Sequence, residues 1–165
     1  MRGKLWAVLA AIGLAAVLAG GSALAAAAGD NNKDTTITVV VKTFDVRVVD
    51  LGPKGPTHGD LRVFNNDRVY NKEETKVIGR ADGFCAVTDP TARQGLLATE
   101  CLVTWSLPGG EITVQTVNFR PALKQLPRED LQAVTGGTGT YKGAKGEARL
   151  LRQGDKLLVT FHLIS

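Results

Sequence analysis

The sequence predicts an all-β fold, and three observations carry that expectation. No segment keeps a sustained helical period of apolar residues. Instead, about seven or eight short runs rich in Val, Ile and Thr alternate with clusters of Gly, Pro, Asn and Asp. Five glycines fall within residues 136–146, directly before another apolar strand-like run. Glycine at that density calls for positive φ or for close approach of another segment. The whole pattern reads as a barrel or a sandwich. Apolar residues on both faces of several strands favour a small barrel with a lined interior. Its outer face would then be buried against something, such as a neighbouring subunit.

The chain of 165 residues does not enter that fold at once. Met1-Arg2-Gly3-Lys4 is a basic start, residues 5–19 are apolar and uncharged, and residues 20–28 are small with several A-x-A sites. This is the pattern of a secretory signal peptide, expected to be cut after Ala28, with Ala25 as the other position. The apolar run is short for a membrane anchor and no basic stop follows it, so no stable span is expected after cleavage. Residues 29–34 are polar and read as a loose mature N-terminus. Residues 35–165 are expected to form one domain, long enough for a real core. Losing Arg2 and Lys4, with no acid, lowers the net charge from +4 to +2. The other basic residues are scattered among acids, which argues against a nucleic-acid surface.

Within the domain, residues 35–50 alternate strongly, with Ile37, Val39 and Val41 followed by Phe44, Val46 and Val48. The apolar set changes parity near Lys42-Thr43, as one long strand with a bulge or bend would. Asp45 and Arg47 then face away from Phe44, Val46 and Val48. Residues 51–59 are a loop by composition. Residues 60–66 can pair as a strand, and residues 66–74 are polar and turn-rich. Residues 76–88 are strand-like, with Gly79 and Gly83 marking bulges or close contacts.

Residues 89–97, with Asp89-Pro90, read as a connection. Residues 98–107 form a strand, Pro108-Gly109-Gly110 a tight hairpin, and residues 111–118 the return strand. Residues 120–128 are a loop holding Pro121 and Pro127. Residues 129–135 suit either a short helical turn or a short strand. Residues 147–152 and 156–164 form a last hairpin around Gln153-Gly154-Asp155, with Leu157, Val159, Phe161 and Leu163 on one face.

Cys85 and Cys101 are the two cysteines. In an exported chain a disulfide is the default. A metal pair or a reactive thiol would be the alternatives, but His58 and His162 are both distant in sequence, so no metal site is expected. Pairing of residues 82–88 with 98–104 would bring the two cysteines opposite each other, at disulfide distance.

The glycine stretch fails the tests for a phosphate cradle. It lacks the G-x-x-x-x-G-K-[ST] spacing and is followed by a strand rather than a helix. Gly137, Gly139 and Gly143 stand as G-x-G-x-x-x-G, which is not the dinucleotide fingerprint. The expected role is a tight turn across one end of a barrel.

Residues 131–150, from Leu131 through Thr135-Gly136-Gly137-Thr138-Gly139 and Gly143-Ala144 to Leu150, resemble the glycine signature of the allene oxide cyclase and dirigent barrel family. Gly59-Asp60-Leu61, Val77-Ile78-Gly79 and Gly83-Phe84-Cys85 stand in that family's order and close to its spacing. The resemblance runs from about Phe44 to the C-terminus. It implies a closed eight-stranded antiparallel β-barrel of calycin type, often trimeric, with a mostly apolar cavity.

The resemblance also implies site residues. Phe44-Asp45-Val46-Arg47-Val48-Val49-Asp50 stands in place of the segment that carries the cyclases' catalytic carboxylate, which falls on Asp45. The asparagine that holds an ordered water on the epoxide oxygen falls on Asn66, and the cavity cysteine on Cys85. Arg47 replaces a cavity asparagine and Ala98 a cavity phenylalanine. On residues alone, Asp45 and Arg47 could equally be a salt bridge at a barrel rim.

The expected function is a secreted barrel that binds a small apolar molecule. The barrel would guide cyclisation or stereoselective coupling without a cofactor, by holding one conformer and excluding water. The alternative is a non-catalytic ligand-binding or structural module of the cell exterior.

Overall fold

The computed structural model describes residues 34–42, 44–93, 95–122 and 128–164, without the side chain of Asn66. The expected signal peptide lies outside the described residues. Within them the strands are β1 Thr35–Val41, β2 Val46–Val49, β3 Leu61–Asn71, β4 Val77–Arg93, β5 Leu96–Leu107, β6 Gly110–Arg120, β7 Glu129–Gly137, β8 Lys145–Gln153 and β9 Lys156–Ile164. A 3₁₀ turn, Gly139–Tyr141, follows β7.

Every pairing is antiparallel, in the order β1-β9-β8-β7-β6-β5-β4-β3-β2, and β1 also pairs with β3. That last pairing closes the ring. β1 meets one end of β3 through Val39 to Val41, and β2 meets the other through Val46 to Val49. The two therefore share one position in an eight-stranded barrel. The break between them falls at residues 42–45, where the apolar parity changes. Closure is reinforced by Glu74, whose carboxylate pairs with Lys42 at 2.9 Å and Lys156 at 2.7 Å.

Two segments differ from expectation and a third, left open, is settled. β3 continues to Asn71 through the stretch read as turn-rich, and the 129–135 ambiguity resolves as strand β7. The polar residues of β3 sit at a register shift between Phe64 and Asp67. A bulge lets a strand carry polar groups without ending. β4 likewise runs through Asp89-Pro90 to Arg93, so the expected connection is mostly strand. Its pairing slips twice there, between Val87 and Asp89 and between Asp89 and Arg93. Proline is tolerated at such irregular positions because no ladder bond is required of it. The Asp89 carboxylate accepts the Thr91 N–H at 2.8 Å in compensation.

The glycine stretch closes one end of the barrel, as expected. The N–H of Thr138 donates to the Glu111 carbonyl and the N–H of Thr140 to the Gly109 carbonyl, locking the β7–β8 turn onto the β5–β6 turn. Gly139 has φ +60°, and a Cβ there would lie 2.0 Å from the Gly109 carbonyl oxygen. Only glycine permits both that conformation and that approach.

The interior above this end is filled. Val39, Val69, Trp105, Ile112, Val114, Val159 and Phe161 are buried in one apolar cluster. Trp105 and Phe161 pack edge to face, with centroids 5.5 Å apart. Such a pair adds about 0.5–1.5 kcal/mol beyond burial. Toward the other end the interior changes character, and there it holds a cavity.

Candidate functional site

Inward positions near the ends of β1, β6 and β8, near the starts of β3, β7 and β9, and in the middle of β4 and β5 line a cavity of about 60 Å³ that opens to solvent. Val41, Phe44, Phe64, Val103, Trp105, Leu150 and Leu157 supply apolar wall. Arg62, Asp67, Asn118, Arg120, Asp130 and Gln132 supply the polar part. Both sets follow from strand alternation, since Arg62, Phe64 and, after the bulge, Asp67 all turn to the same face of β3. Gly83 lies directly across from Phe64, and its missing side chain leaves room for that ring.

The mouth is braced by Asp60. This buried carboxylate accepts the N–H groups of Leu51 at 2.9 Å and Thr57 at 2.8 Å, and the Thr57 hydroxyl at 3.0 Å. The two backbone bonds hold its pKa below the ordinary aspartate value. Asp60 thus ties the loop between β2 and β3 to the barrel, with three of its roughly four lone-pair sites engaged.

Asp67 is the notable acid. It is 5% exposed. Burial pushes its pKa up to about 6, opposed by the N–H of Asp45, which donates to Asp67 Oδ1 at 2.9 Å, and by the positive charge of Arg62. A carboxyl poised near neutrality can hold or release a proton at working pH. Asp130 has a different environment: its Oδ2 accepts from Gln132 at 2.7 Å and from Asn118 at 3.2 Å.

Two arginines share the cavity. Arg120 is 2% exposed and Arg62 4%. Burial lowers both pKa values, that of Arg62 to about 10, with a further contribution from the charge of Arg120. Among the described residues, Nε of Arg62, Nε and Nη1 of Arg120, Nε1 of Trp105 and Oε1 of Gln132 have no hydrogen-bond partner.

The cysteines form a disulfide directly across β4 and β5, and both line the cavity. Asn118 Nδ2 and Arg120 Nη2 donate to Cys101 Sγ at 3.5 and 3.6 Å. Cys85 is therefore both the cavity residue and the disulfide partner that the sequence suggested.

Asp45 and Arg47 form the salt bridge that the residues alone also offered, and not a cavity pair. Their side chains are 56% and 78% exposed, they pair with each other at 3.9 Å, and neither lines the cavity. The break at residues 42–45 turns Phe44 inward and leaves Asp45 outside, where it touches the site only through its backbone N–H. Asn66 lies in β3 beside Asp67, and its side chain is outside the described set. Sequence reasoning missed Arg62, Asp67, Arg120, Asp130 and Gln132. The available signal was alternation: Arg120 shares strand parity with Ile112 and Val114, and Asp130 and Gln132 share it with Val134.

Among the described residues, no group of three or more His, Cys, Asp or Glu could hold a metal ion. Nor is any helix there long and apolar enough to cross a membrane.

Comparison with solved structures finds the same barrel repeatedly. The chain is similar to pyocyanin demethylase, with 28% identity and a TM-score of 0.63, over 78% of this chain and 99% of that one. It is similar to the pterocarpan synthase dirigent protein GePTS1, with 17% identity and a TM-score of 0.55, over 81% of this chain and 84% of that one. It is also similar to the Diels–Alderase AbmU from Streptomyces koyangensis, with 11% identity and a TM-score of 0.57, over 82% and 72%. Comparison with curated proteins by sequence finds no match. The allene oxide cyclase barrel like domain matches residues 34–161. The chain belongs to that family.

Proposed function

We propose that this protein is an exported barrel that binds a small organic molecule, largely apolar, in the cavity and guides its rearrangement or cyclisation without a cofactor. The observation that carries the reading is Asp67, a carboxyl raised to about 6 inside a cavity with aromatic and aliphatic walls. In its charged form Asp67 faces developing positive charge on the bound molecule or takes up a proton from it. It thereby assumes the role expected of Asp45. Asn66, next in sequence, keeps its proposed role of holding the reacting oxygen. The apolar walls hold the molecule in one conformer and keep water away.

The comparisons support this reading. The similar structures are named for a demethylase of pyocyanin, a pterocarpan synthase and a Diels–Alderase, all acting on small organic molecules. The 28% identity with the first spans nearly all of that chain. Export is supported by the sequence of residues 1–28. A homotrimer, which the family resemblance implies, is proposed to form through the outer face of β4 to β7, where Phe84, Leu102, Val117, Phe119 and Leu131 are exposed.

Native mass spectrometry of the exported protein, followed by turnover of whatever co-purifies, tests the proposal. A bound molecule of a few hundred daltons is expected. Asp67→Asn should bind it and fail to convert it. An Asp67→Asn variant with full turnover would remove Asp67 from the mechanism.

A further inference from the structure

We propose that the cavity is built for an organic carboxylate, and that Arg62 and Arg120 form the subsite for its charged oxygens. The inference deepens the function proposed above and rests on that cavity being a binding site.

Arginine is almost never fully buried without a partner, because a desolvated guanidinium loses its hydration and must recover it elsewhere. Arg62 and Arg120 are both nearly fully buried. Among the described residues neither forms an ion pair. Arg120 Nη2 has only a sulfur acceptor, Cys101 Sγ at 3.6 Å, and its Nε and Nη1 have none. Arg62 lies over the Phe64 ring at 5.3 Å and leaves its Nε without a partner.

The nearby acids offset the charges in part but leave these donors without a partner. Asp130 attracts Arg120, but its Oδ2 is engaged by Asn118 and Gln132. Asp67 attracts Arg62 across the cavity, but no ion pair or hydrogen bond joins the two. Arg152 adds a third positive charge that acts on Arg62. The cavity therefore keeps unused guanidinium N–H donors at its polar end, beside apolar walls. A guanidinium presents donors in a planar fork that matches a carboxylate. The complementary ligand is an apolar or aromatic body ending in a carboxylate. This sharpens the expectation of a purely apolar molecule.

A matched pair of probes tests it. Naphthalene-2-carboxylate and naphthalene-2-carboxamide have nearly the same shape and differ in charge at neutral pH. Isothermal titration of the intact protein should show the carboxylate binding at least about tenfold more tightly. Arg62→Met and Arg120→Met should each cut carboxylate affinity about tenfold and leave carboxamide affinity within about twofold, with Arg120→Lys recovering part of the loss. Thermal melts separate this from a structural role. Arg62→Met should melt within a few degrees of the parent, because the desolvation and the repulsion from Arg120 that it relieves offset the lost attraction to Asp67. If one arginine variant fails to fold, the other and the parent's preference still decide. Equal binding of the two probes, or variants that do not discriminate between them, overturns the arginine subsite and leaves the cavity reading intact. Binding of neither probe to the parent overturns both.

Discussion

At the scale of single residues, the chemistry of this barrel turns on which side of a strand a carboxylate faces. Asp45 and Asp67 are linked by one hydrogen bond, from the Asp45 N–H to the Asp67 carboxylate. Asp67 is the buried one of the two, and burial raises its pKa. The sign follows from proton linkage. A carboxyl raised in the folded state binds more protons folded than unfolded between about pH 4 and 6, so it contributes stability at low pH that is lost as pH rises through about 6. Stability of the parent should decline across that window, and Asp67→Asn should flatten the decline, as denaturant melts at a series of pH values would show. Turnover, which needs the charged form, should rise through the same window. Asp45→Asn should change turnover less than about twofold, because its exposed ion pair with Arg47 contributes little. A large loss in Asp45→Asn would return the catalytic role to that residue.

Among the elements, the two ends of the barrel are built on different principles. The filled end depends on backbone contact between the β5–β6 and β7–β8 turns, which only glycine allows. Gly139→Ala should cost about 1–3 kcal/mol, from positive φ and the clash with the Gly109 carbonyl together. That is a fall of several degrees in Tm by calorimetry, and an unchanged Tm would show that the turns can separate freely. The cavity end is held instead by Asp60 at the mouth and by the disulfide between β4 and β5. With a sequence separation of 16, the disulfide contributes about 3 kcal/mol through chain entropy. The glycine turn and the cysteine pair were both legible in the sequence, because glycine density and cysteine count survive without knowledge of neighbours. The course of β3 was not. Its polar run looks like a turn until Arg62 and Asp67 are seen to face a cavity rather than solvent.

For the whole molecule, the proposed trimer explains the exposed outer residues. A monomer has little reason to place Phe84 directly across from Leu102 on its outer face. Large exposed apolar patches mark interaction sites. Light scattering on the exported protein should give three times the chain mass, and Leu131→Lys should shift it toward monomer. A monomeric parent at micromolar concentration would refute the assembly and leave the cavity unaffected, since its lining comes from one chain.

By itself, the sequence determined the all-β class, the closed barrel through its family signature, the glycine-closed end and the cysteine pair. All of these are carried by alternation, turn chemistry and rare residue types, which act locally. Only the tertiary structure decided which charged residues are inside. Strand parity places a residue on one of two faces but does not say which face is enclosed, and a break such as 42–45 or a bulge such as the one before Asp67 reverses the count. Arg62, Asp67 and Arg120 come from β3 and β6, which are not neighbours in the sheet. They meet because the ring closes, and closure depends on contacts between strands far apart in the chain.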